Sequence, residues 1–298
     1  MPATPPPTVL ASTSAAELNG ATLAVDSTFL YFTTTSTVQR IALAGGLPLT
    51  VATNMHGPIV LDANNVYGFD ATGIVSAPKS GGAPASASKG SALGQHLAVD
   101  ATNLYFHSYY GVRTNGDNYH QSIYSLQLAT GTVLNIATNQ FVTSPFASDA
   151  ANLYWFSDND SFGVKLFSMP KSGAAPTMLA SGGGPPDGPA FDGTSLYWTT
   201  SGGWSAPLPP STVSSLASAG SGTPAVLATA LDTPGDLAVD ADNVYFTLHY
   251  DRIMKLPKSG GTPTTLATQL MRPTSLVLDD TSVYFIDAGA GNIDKISK

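Results

Sequence analysis

Histidine and aspartate side chains are the groups of this 298-residue chain that could carry out chemistry, because it has five histidines and no cysteine. A histidine acid or base suits hydrolase or lyase chemistry near neutral pH. The candidate catalytic histidines are His56, His96 and His249, with Asp187 or Asp236 as orienting partners. The lack of cysteine excludes a thiolate nucleophile and a cysteine-ligated metal.

A bound divalent metal is a second source of chemistry, since imidazoles and carboxylates could hold an ion that activates water. The segment Asp158-Asn159-Asp160, followed by Gly163, resembles the start of a calcium loop. Met169 stands where such a loop needs its closing acid. The start of the loop alone makes Asp158 and Asp160 the candidate metal ligands, with Ca or Mg as the candidate cofactor.

Other chemistries lack their motifs. No Gly-x-Ser-x-Gly segment is present to hold a catalytic serine. The glycine-rich residues 181–186 end in two prolines and not in the helix start that a phosphate loop requires. A net charge of −8, with four arginines and eight lysines, argues against nucleic acid and anionic membrane surfaces as partners.

A repeat must position these side chains. An aspartate is followed five residues later by a tyrosine in seven places, and successive copies begin 36 to 49 residues apart. Such a period indicates an array of supersecondary units. The seven pairs are Asp26/Tyr31, Asp62/Tyr67, Asp100/Tyr105, Asp149/Tyr154, Asp192/Tyr197, Asp240/Tyr245 and Asp279/Tyr284.

Each repeat contains four short strand-forming stretches separated by polar turns. In one copy these stretches are residues 237–239, 244–247, 252–256 and 264–268. Four short strands in about forty residues are typical of a β-propeller blade. The sequence therefore predicts an all-β fold, a seven-bladed β-propeller with four-stranded antiparallel blades.

The two ends of the chain predict how the ring closes. The seventh copy stops at residues 293–297, a third strand with no fourth strand after it. Residues 8–12 have the composition of the missing strand, so we expect them to complete the last blade and remove its exposed edge. Residues 1–7 would be a proline-rich tail, and residues 8–298 one domain.

The motif Leu196-Tyr197-Trp198-Thr199 resembles the YWTD-type repeat of lipoprotein-receptor propellers, and the other copies are looser forms of it. Those propellers have six blades. The count of seven makes the chain more similar to NHL-like, virginiamycin B lyase-like and uncharacterised exported bacterial propellers. The resemblance implies a fold, and none of that lyase's catalytic residues is carried over to this chain.

The repeated residues are expected to be structural. The seven aspartates would cap turns through local side-chain bonds, and the seven tyrosines would pack between blades with bonded hydroxyls. The lysines of the Pro-Lys-Ser-Gly turns would lie in solvent. None of these residues is a candidate for the site.

The remaining polar and aromatic residues map to the loops of one face, and residues 109–120 and 201–210 lengthen two of those loops. Insertions on one face of a repeat array usually mark the binding face. The channel mouth there would gather His56, His96, Asp187, Asp236 and Arg272. The candidate ligand-binding residues are Tyr109, Tyr110, Tyr119, Trp204, Tyr250, Arg113, Arg252, Arg272, His107 and His120.

Two functions fit this pattern. The first is a monomeric binding propeller for a polar small molecule, glycan or protein, and the second is a metal-assisted lyase or hydrolase with histidines at the channel mouth. Charged residues make up only 11% of the chain, which favours a secreted or periplasmic protein. The first residues are not a signal peptide, so either the protein is cytosolic or its export segment is absent from this sequence, and we expect the latter. No apolar run is long enough to cross a bilayer.

Overall fold

A computed structural model of the chain describes residues 6–89, 93–110, 120–157, 164–202, 210–218, 220, 222–248 and 250–298. In these ranges 28 strands form seven antiparallel four-stranded sheets, and no helix there could span a membrane. The inner strands of successive sheets lie side by side around a ring. The predicted seven-bladed propeller is confirmed.

Each blade runs from an inner to an outer strand in chain order. Blades 1 to 3 consist of β2 (Leu23–Val25), β3 (Phe29–Thr33), β4 (Thr37–Ala42) and β5 (Leu49–Thr53); β6 (His56–Leu61), β7 (Asn65–Phe69), β8 (Gly73–Pro78) and β9 (Ala85–Lys89); and β10 (Leu93–Val99), β11 (Asn103–Tyr110), β12 (His120–Gln127) and β13 (Val133–Gln140).

Blades 4 to 7 follow the same pattern, except that the last blade takes its outer strand from the start of the chain. Their strands are β14 (Ala147–Ser148), β15 (Asn152–Ser157), β16 (Lys165–Pro170) and β17 (Thr177–Ser181); β18 (Pro186–Phe191), β19 (Ser195–Thr200), β20 (Thr212–Ala217) and β21 (Ala225–Thr229); β22 (Pro234–Val239), β23 (Asn243–Leu248), β24 (Arg252–Pro257) and β25 (Thr264–Ala267); and β26 (Pro273–Leu278), β27 (Ser282–Asp287), β28 (Asn292–Ser297) and β1 (Thr8–Ser12).

The core lies between the blades. The second strand of a blade is buried on both faces, as in β23, where Tyr245 packs towards blade 7 and Phe246 towards blade 5. Aromatic and β-branched residues suit such a strand because they fill the space between two packed sheets. Each blade thus depends on both neighbours for burial.

The ring closes as the sequence predicted. Strand β1 pairs antiparallel with β28, with Thr8 opposite Lys295 and Ser12 opposite Asn292. A bulge lies between Val9 and Ala11, and Leu10 is buried in the cluster between blades 7 and 1. The pairing covers an edge that would otherwise be open to other chains.

The repeated Asp–Tyr pair forms the same turn in all seven blades. In blade 3, Asp100 Oδ1 accepts hydrogen bonds from the N–H groups of Thr102 and Asn103, and Asp100 Oδ2 accepts one from the Tyr105 hydroxyl. The other six copies repeat this arrangement. The predicted turn-capping role of these aspartates is confirmed.

The prediction that the lysines of the Pro-Lys-Ser-Gly turns lie in solvent is wrong. The Lys171 side chain is only 9% exposed, and its Nζ lies 2.9 Å from Asp100 Oδ2 of the preceding blade. Lys79 and Lys258 make the equivalent contacts. A spacing within one repeat could not show a contact between two repeats. We call the face with these turns the turn face, and the opposite face the loop face.

Candidate functional site

Two carboxyl groups lie together at the start of neighbouring inner strands on the loop face. Asp187 is in β18 and Asp236 is in β22. The two strands approach closely here, since a Cβ added at Gly235, the residue before Asp236, would lie 3.8 Å from Asp187 Oδ2. In the described part of the chain no hydrogen-bond donor reaches the Asp187 carboxylate. We call this region the mouth.

The two carboxyl groups hold protons more tightly than usual. Burial, and then the charge of Asp236, raise the pKa of Asp187 to about 6. Burial also raises the pKa of Asp236, against a hydrogen bond from the Ser275 N–H. Asp187 remains accessible to water although protein atoms surround its carboxylate, as expected for a group in a concave mouth. The pair can therefore exchange a proton near neutral pH.

Ser275 links the mouth across three blades, and the sequence analysis did not identify it. Its N–H donates to Asp236 Oδ2 at 2.7 Å, and its Oγ accepts from the Leu23 N–H at 2.8 Å. Its φ of 55° is unusual for a residue with a side chain. Such strain persists where surrounding contacts hold it. No sequence signal marks a serine for this role.

Two of the predicted histidines stack in blade 3. The rings of His96 and His107 are 5.2 Å apart between centroids. His107 Nδ1 lies 3.1 Å from Gln121 Oε1, which also accepts from the Val142 N–H. His107 is fully buried, so its ring offers no surface to a ligand. His96 is half-buried in the middle of the inner strand β10.

His56 lies apart from that pair. It is exposed at the start of β6, and its ring stacks on Phe69 at 6.5 Å between centroids. Its charge also helps to lower the pKa of Asp70, although burial opposes this and hydrogen bonds from Thr72 contribute more. Among the described aromatic contacts, none joins His56 to His96. His56 therefore does not share the ring stack of His96 and His107.

Three predicted binding residues form part of the rim between blades 6 and 7. Tyr250 is 65% exposed, and its carbonyl oxygen accepts from the Arg272 N–H at 2.7 Å. Arg272 also donates to Asn19 Oδ1, while Arg252 Nε lies 2.7 Å from Asp251 Oδ1. The backbone bond joins Tyr250 to Arg272, and the two arginine side chains bind Asn19 and Asp251.

The other predicted site residues are not tested by the described structure. Tyr110 lies opposite His120 in the β11–β12 ladder, next to Tyr109, and the side chains of these three are not described. The remaining predictions lie outside the described residues, namely Arg113, Tyr119, Asp158, Asp160, Trp204 and His249. Within the described ranges, no group of three or more histidine, aspartate or glutamate side chains could hold a metal ion.

Comparison with known proteins supports the fold. No protein-family model matches the chain, and no curated protein sequence matches it. Among solved structures it is similar to the β-propeller domain of the Trilobed protease from Pyrococcus furiosus, which has an open velcro topology. The identity is 10% over 93% of this chain and 95% of that one, with a TM-score of 0.68.

Two further structures have the same likeness. The computationally designed Ika8 protein is 12% identical over 93% of this chain and 82% of its own, with a TM-score of 0.64. BamB from Moraxella catarrhalis is 13% identical over the same shares, with a TM-score of 0.57. At these identities the likeness shows a β-propeller fold and nothing about the ligand.

Proposed function

We propose that this propeller is a binding protein that takes a polar small molecule with a cationic group at the mouth. The observation that supports the proposal is the pair of neighbouring carboxyl groups of Asp187 and Asp236, of which Asp187 has no described donor. Two carboxylates in a partly desolvated site repel each other and retain protons. A bound cation would offset that repulsion and restore both charges.

The surrounding residues suit the uncharged part of such a ligand. His56 begins the inner strand of blade 2 and His96 lies within the inner strand of blade 3, across the ring from blades 5 and 6. Imidazole rings offer flat apolar surface with polar edges. We propose that these rings contact the uncharged part of the ligand, and that Tyr250, Arg252 and Arg272 contact it at the rim.

A matched series of three aromatic probes tests the charge preference. Benzylamine, benzyl alcohol and benzoate have similar size and differ in charge. We expect benzylamine alone to cause saturable NMR shifts of the amides of Ala190, Leu237 and Leu23, which follow the mouth in their strands. Equal binding of all three probes, or shifts elsewhere only, would contradict the proposal.

Variants at the two carboxyl groups localise the effect. Asp187→Asn and Asp236→Asn should each weaken benzylamine binding at least several-fold, since each removes a negative charge without changing shape. Asp242→Asn is the matched control, because Asp242 is exposed on the turn face. If Asp242→Asn weakened benzylamine binding as much as the two mouth variants do, the effect would be one of net charge, and the mouth would be refuted as the site.

A second candidate function is acid–base catalysis by a hydrolase or lyase. It is favoured by the pKa of Asp187, which at about 6 lies near working pH. In this alternative Asp187 or Asp236 exchanges a proton with substrate, and His96 or His56 contacts it. Turnover in a hydrolase and lyase panel that is lost in Asp187→Asn would support it. Turnover lost on chelation would support the metal-assisted form.

We also propose that the protein is exported and monomeric, as its few charged residues and its closed ring suggest. Light scattering of the purified chain measures the oligomeric state. A stable dimer would overturn the monomer proposal. Fractionation of the source cells would place the protein inside or outside the inner membrane.

A further inference from the structure

Four blade junctions of the turn face show how this fold binds an ammonium group. Lys171 Nζ lies 2.9 Å from Asp100 Oδ2 and 5.2 Å from the centroid of the Tyr105 ring. The carboxylate supplies charge and the ring supplies a negative face. The same arrangement joins Lys79 to Asp26 and Tyr31, Lys258 to Asp192 and Tyr197, and Lys298 to Asp240 and Tyr245.

The other three junctions have a different residue at the lysine position. The lysine position is recognised by a backbone hydrogen bond, which Lys79 N–H donates to Asn64 O in blade 2. Leu43 N–H donates the equivalent bond to Thr28 O, so Leu43 occupies the lysine position in blade 1. Leu128 and Ser218 occupy it in blades 3 and 5. In the described part of the chain Asp62, Asp149 and Asp279 therefore have no lysine partner.

At the junction between blades 7 and 1 a groove of about 520 Å³ opens beside Asp279. Val25, Leu43 and Leu278 form its aliphatic wall. Asp279 and Asp280 supply carboxylates at the same groove, and Asp280 is exposed with no described donor. The groove therefore combines a hydrocarbon surface with negative charge.

Asp279 has the same carboxylate oxygen, Oδ2, that binds a lysine at the four other junctions. Its Oδ2 accepts from the Tyr284 hydroxyl at 2.6 Å, and Asp100 Oδ2 accepts from both a tyrosine and a lysine. A carboxylate oxygen has two lone pairs, so a second donor can be added. Lys295 donates to the Leu43 carbonyl oxygen at 2.7 Å and makes no described ion pair with Asp279.

We propose that this groove is a binding site for a primary alkylammonium group, either a free amine or a lysine side chain of another polypeptide. The ammonium donates to Asp279 Oδ2 and to the Asp280 carboxylate. The alkyl chain packs on Leu43, Val25 and Leu278. The four lysine junctions carry the argument, because in them the same carboxylate of the repeat binds this same group. The inference concerns the turn face and is independent of the mouth.

Titration with n-butylammonium chloride, followed by amide NMR, tests the site. We expect saturable shifts at Ser27, Leu43 and Thr281, with affinity in the millimolar range that a small ligand allows. Tetramethylammonium at equal ionic strength is the chemical control, since it has the charge but no N–H donor. An equal response to both ions, or no saturable shift at these residues, would overturn the proposal.

Leu43→Lys is the decisive variant, because it should place the chain's own ammonium on Asp279 and abolish the n-butylammonium shifts of the groove residues Ser27 and Thr281. Leu128→Lys makes the same change at the junction of blades 2 and 3 and should leave binding unchanged. Asp280→Asn should weaken it several-fold, and it serves if Leu43→Lys does not fold. Full binding by folded Leu43→Lys, or by Asp280→Asn, would overturn the proposal.

Two further probes distinguish the source of the amine, and both rest on the same groove. A capped Gly-Lys-Gly peptide that binds more tightly than n-butylammonium would support a lysine of another polypeptide. 1,5-Diaminopentane that binds more tightly would support a free amine. If n-butylammonium causes no shifts at the groove while benzylamine still binds at the mouth, the groove proposal alone is refuted, since the two sites lie on opposite faces.

Discussion

At the scale of single residues, surroundings decide what an aspartate does. Asp100 accepts local N–H groups and a lysine, which hold its pKa well below the usual range although burial opposes them. Asp187 is surrounded by protein atoms and lies near the like charge of Asp236, and no described donor binds its carboxylate, so its pKa rises. The same side chain thus caps a turn in one place and exchanges protons near neutral pH in another.

A third environment lies between blades 6 and 7. Asp287 and Asp294 are 4% and 3% exposed, and Asp287 Oδ1 accepts from the Met271 N–H. Asp294 Oδ1 is buried with no hydrogen-bond partner among the described atoms. Burial, and then the charge of Asp287, raise the pKa of Asp294 to about 7. This group therefore makes stability depend on pH.

We expect Asp294→Asn to stabilise the protein over wild type by an amount that grows as the pH rises from about 4 to about 7. Unfolded Asp294 loses its proton near 3.8 and the folded form near 7, so ionisation lowers wild-type stability as pH rises in that window. Asparagine does not ionise. Thermal melts at several pH values measure the difference, with Asp242→Asn as control, and a difference independent of pH would contradict the assignment.

The histidine pair should stay neutral. Burial lowers the pKa of His96 to about 4, and burial with the His96 charge lowers the pKa of His107 to about 3 although Gln121 opposes it. Since unfolded histidine binds a proton near 6.5, the pair destabilises the fold as pH falls below that value. We expect the imidazole NMR signals of His96 and His107, assigned with the help of His96→Phe, not to titrate above pH 5. A titration midpoint near pH 6.5 for either ring would contradict the burial of this pair.

At the scale of the blade, the turn face joins neighbours by charge as well as by apolar contact. Each lysine reaches back to the aspartate of the preceding blade, as Lys79 reaches Asp26. These lysines are largely buried against a tyrosine ring, so solvent screens them less than surface ion pairs. The junctions that carry leucine instead depend on packing, since Leu43 lies against the cluster of Tyr284.

We expect Lys171→Met to lower the free energy of unfolding by about 1–2 kcal/mol. This loss lies between the losses that follow when an exposed and a fully buried ion pair are broken. The variant leaves Asp100 without its lysine and keeps the aliphatic stem. Urea denaturation measures the change. Leu128→Met at the equivalent position of blade 3 is the control, with a change of less than about 1 kcal/mol. Equal effects would show that the ion pair contributes nothing.

At the scale of the whole molecule, stability depends on closing the ring. Every blade buries both faces against neighbours, so a ring opened at β1 exposes the edge of blade 7. Closure by the first strand joins residues almost a full chain length apart, as in the hydrogen bond from Ser12 Oγ to Asn292 Oδ1. The seven blades therefore should unfold as one unit.

We expect Leu10→Asp to release β1, because Leu10 is buried and a charge there lacks a partner. The melting temperature should fall, and the exposed edge should cause self-association. Calorimetry and size-exclusion chromatography measure these effects. Val9→Thr, at a half-exposed position of the same strand, should change neither property. A monomeric Leu10→Asp variant with an unchanged melting temperature would refute this role for β1.

Much of the fold could be predicted because its information is local. The Asp100–Tyr105 interval encodes a turn and a strand whose bonds lie within six residues. The site was less accessible, since Ser275 has no motif, and its contacts with Asp236 and Leu23 come from other blades. His107 shows the same limit, because its place in the chain does not reveal that its ring is buried.

The sequence by itself determined the number of blades, the strands within each blade and the closing strand, because every repeat carries its own alternation and turn residues. Only the tertiary structure decided which side chains meet between blades. It set Lys171 on Asp100 and brought Asp187 next to Asp236. The physical reason is that such contacts depend on how seven twisted sheets are arranged around one axis, and no single repeat contains that geometry.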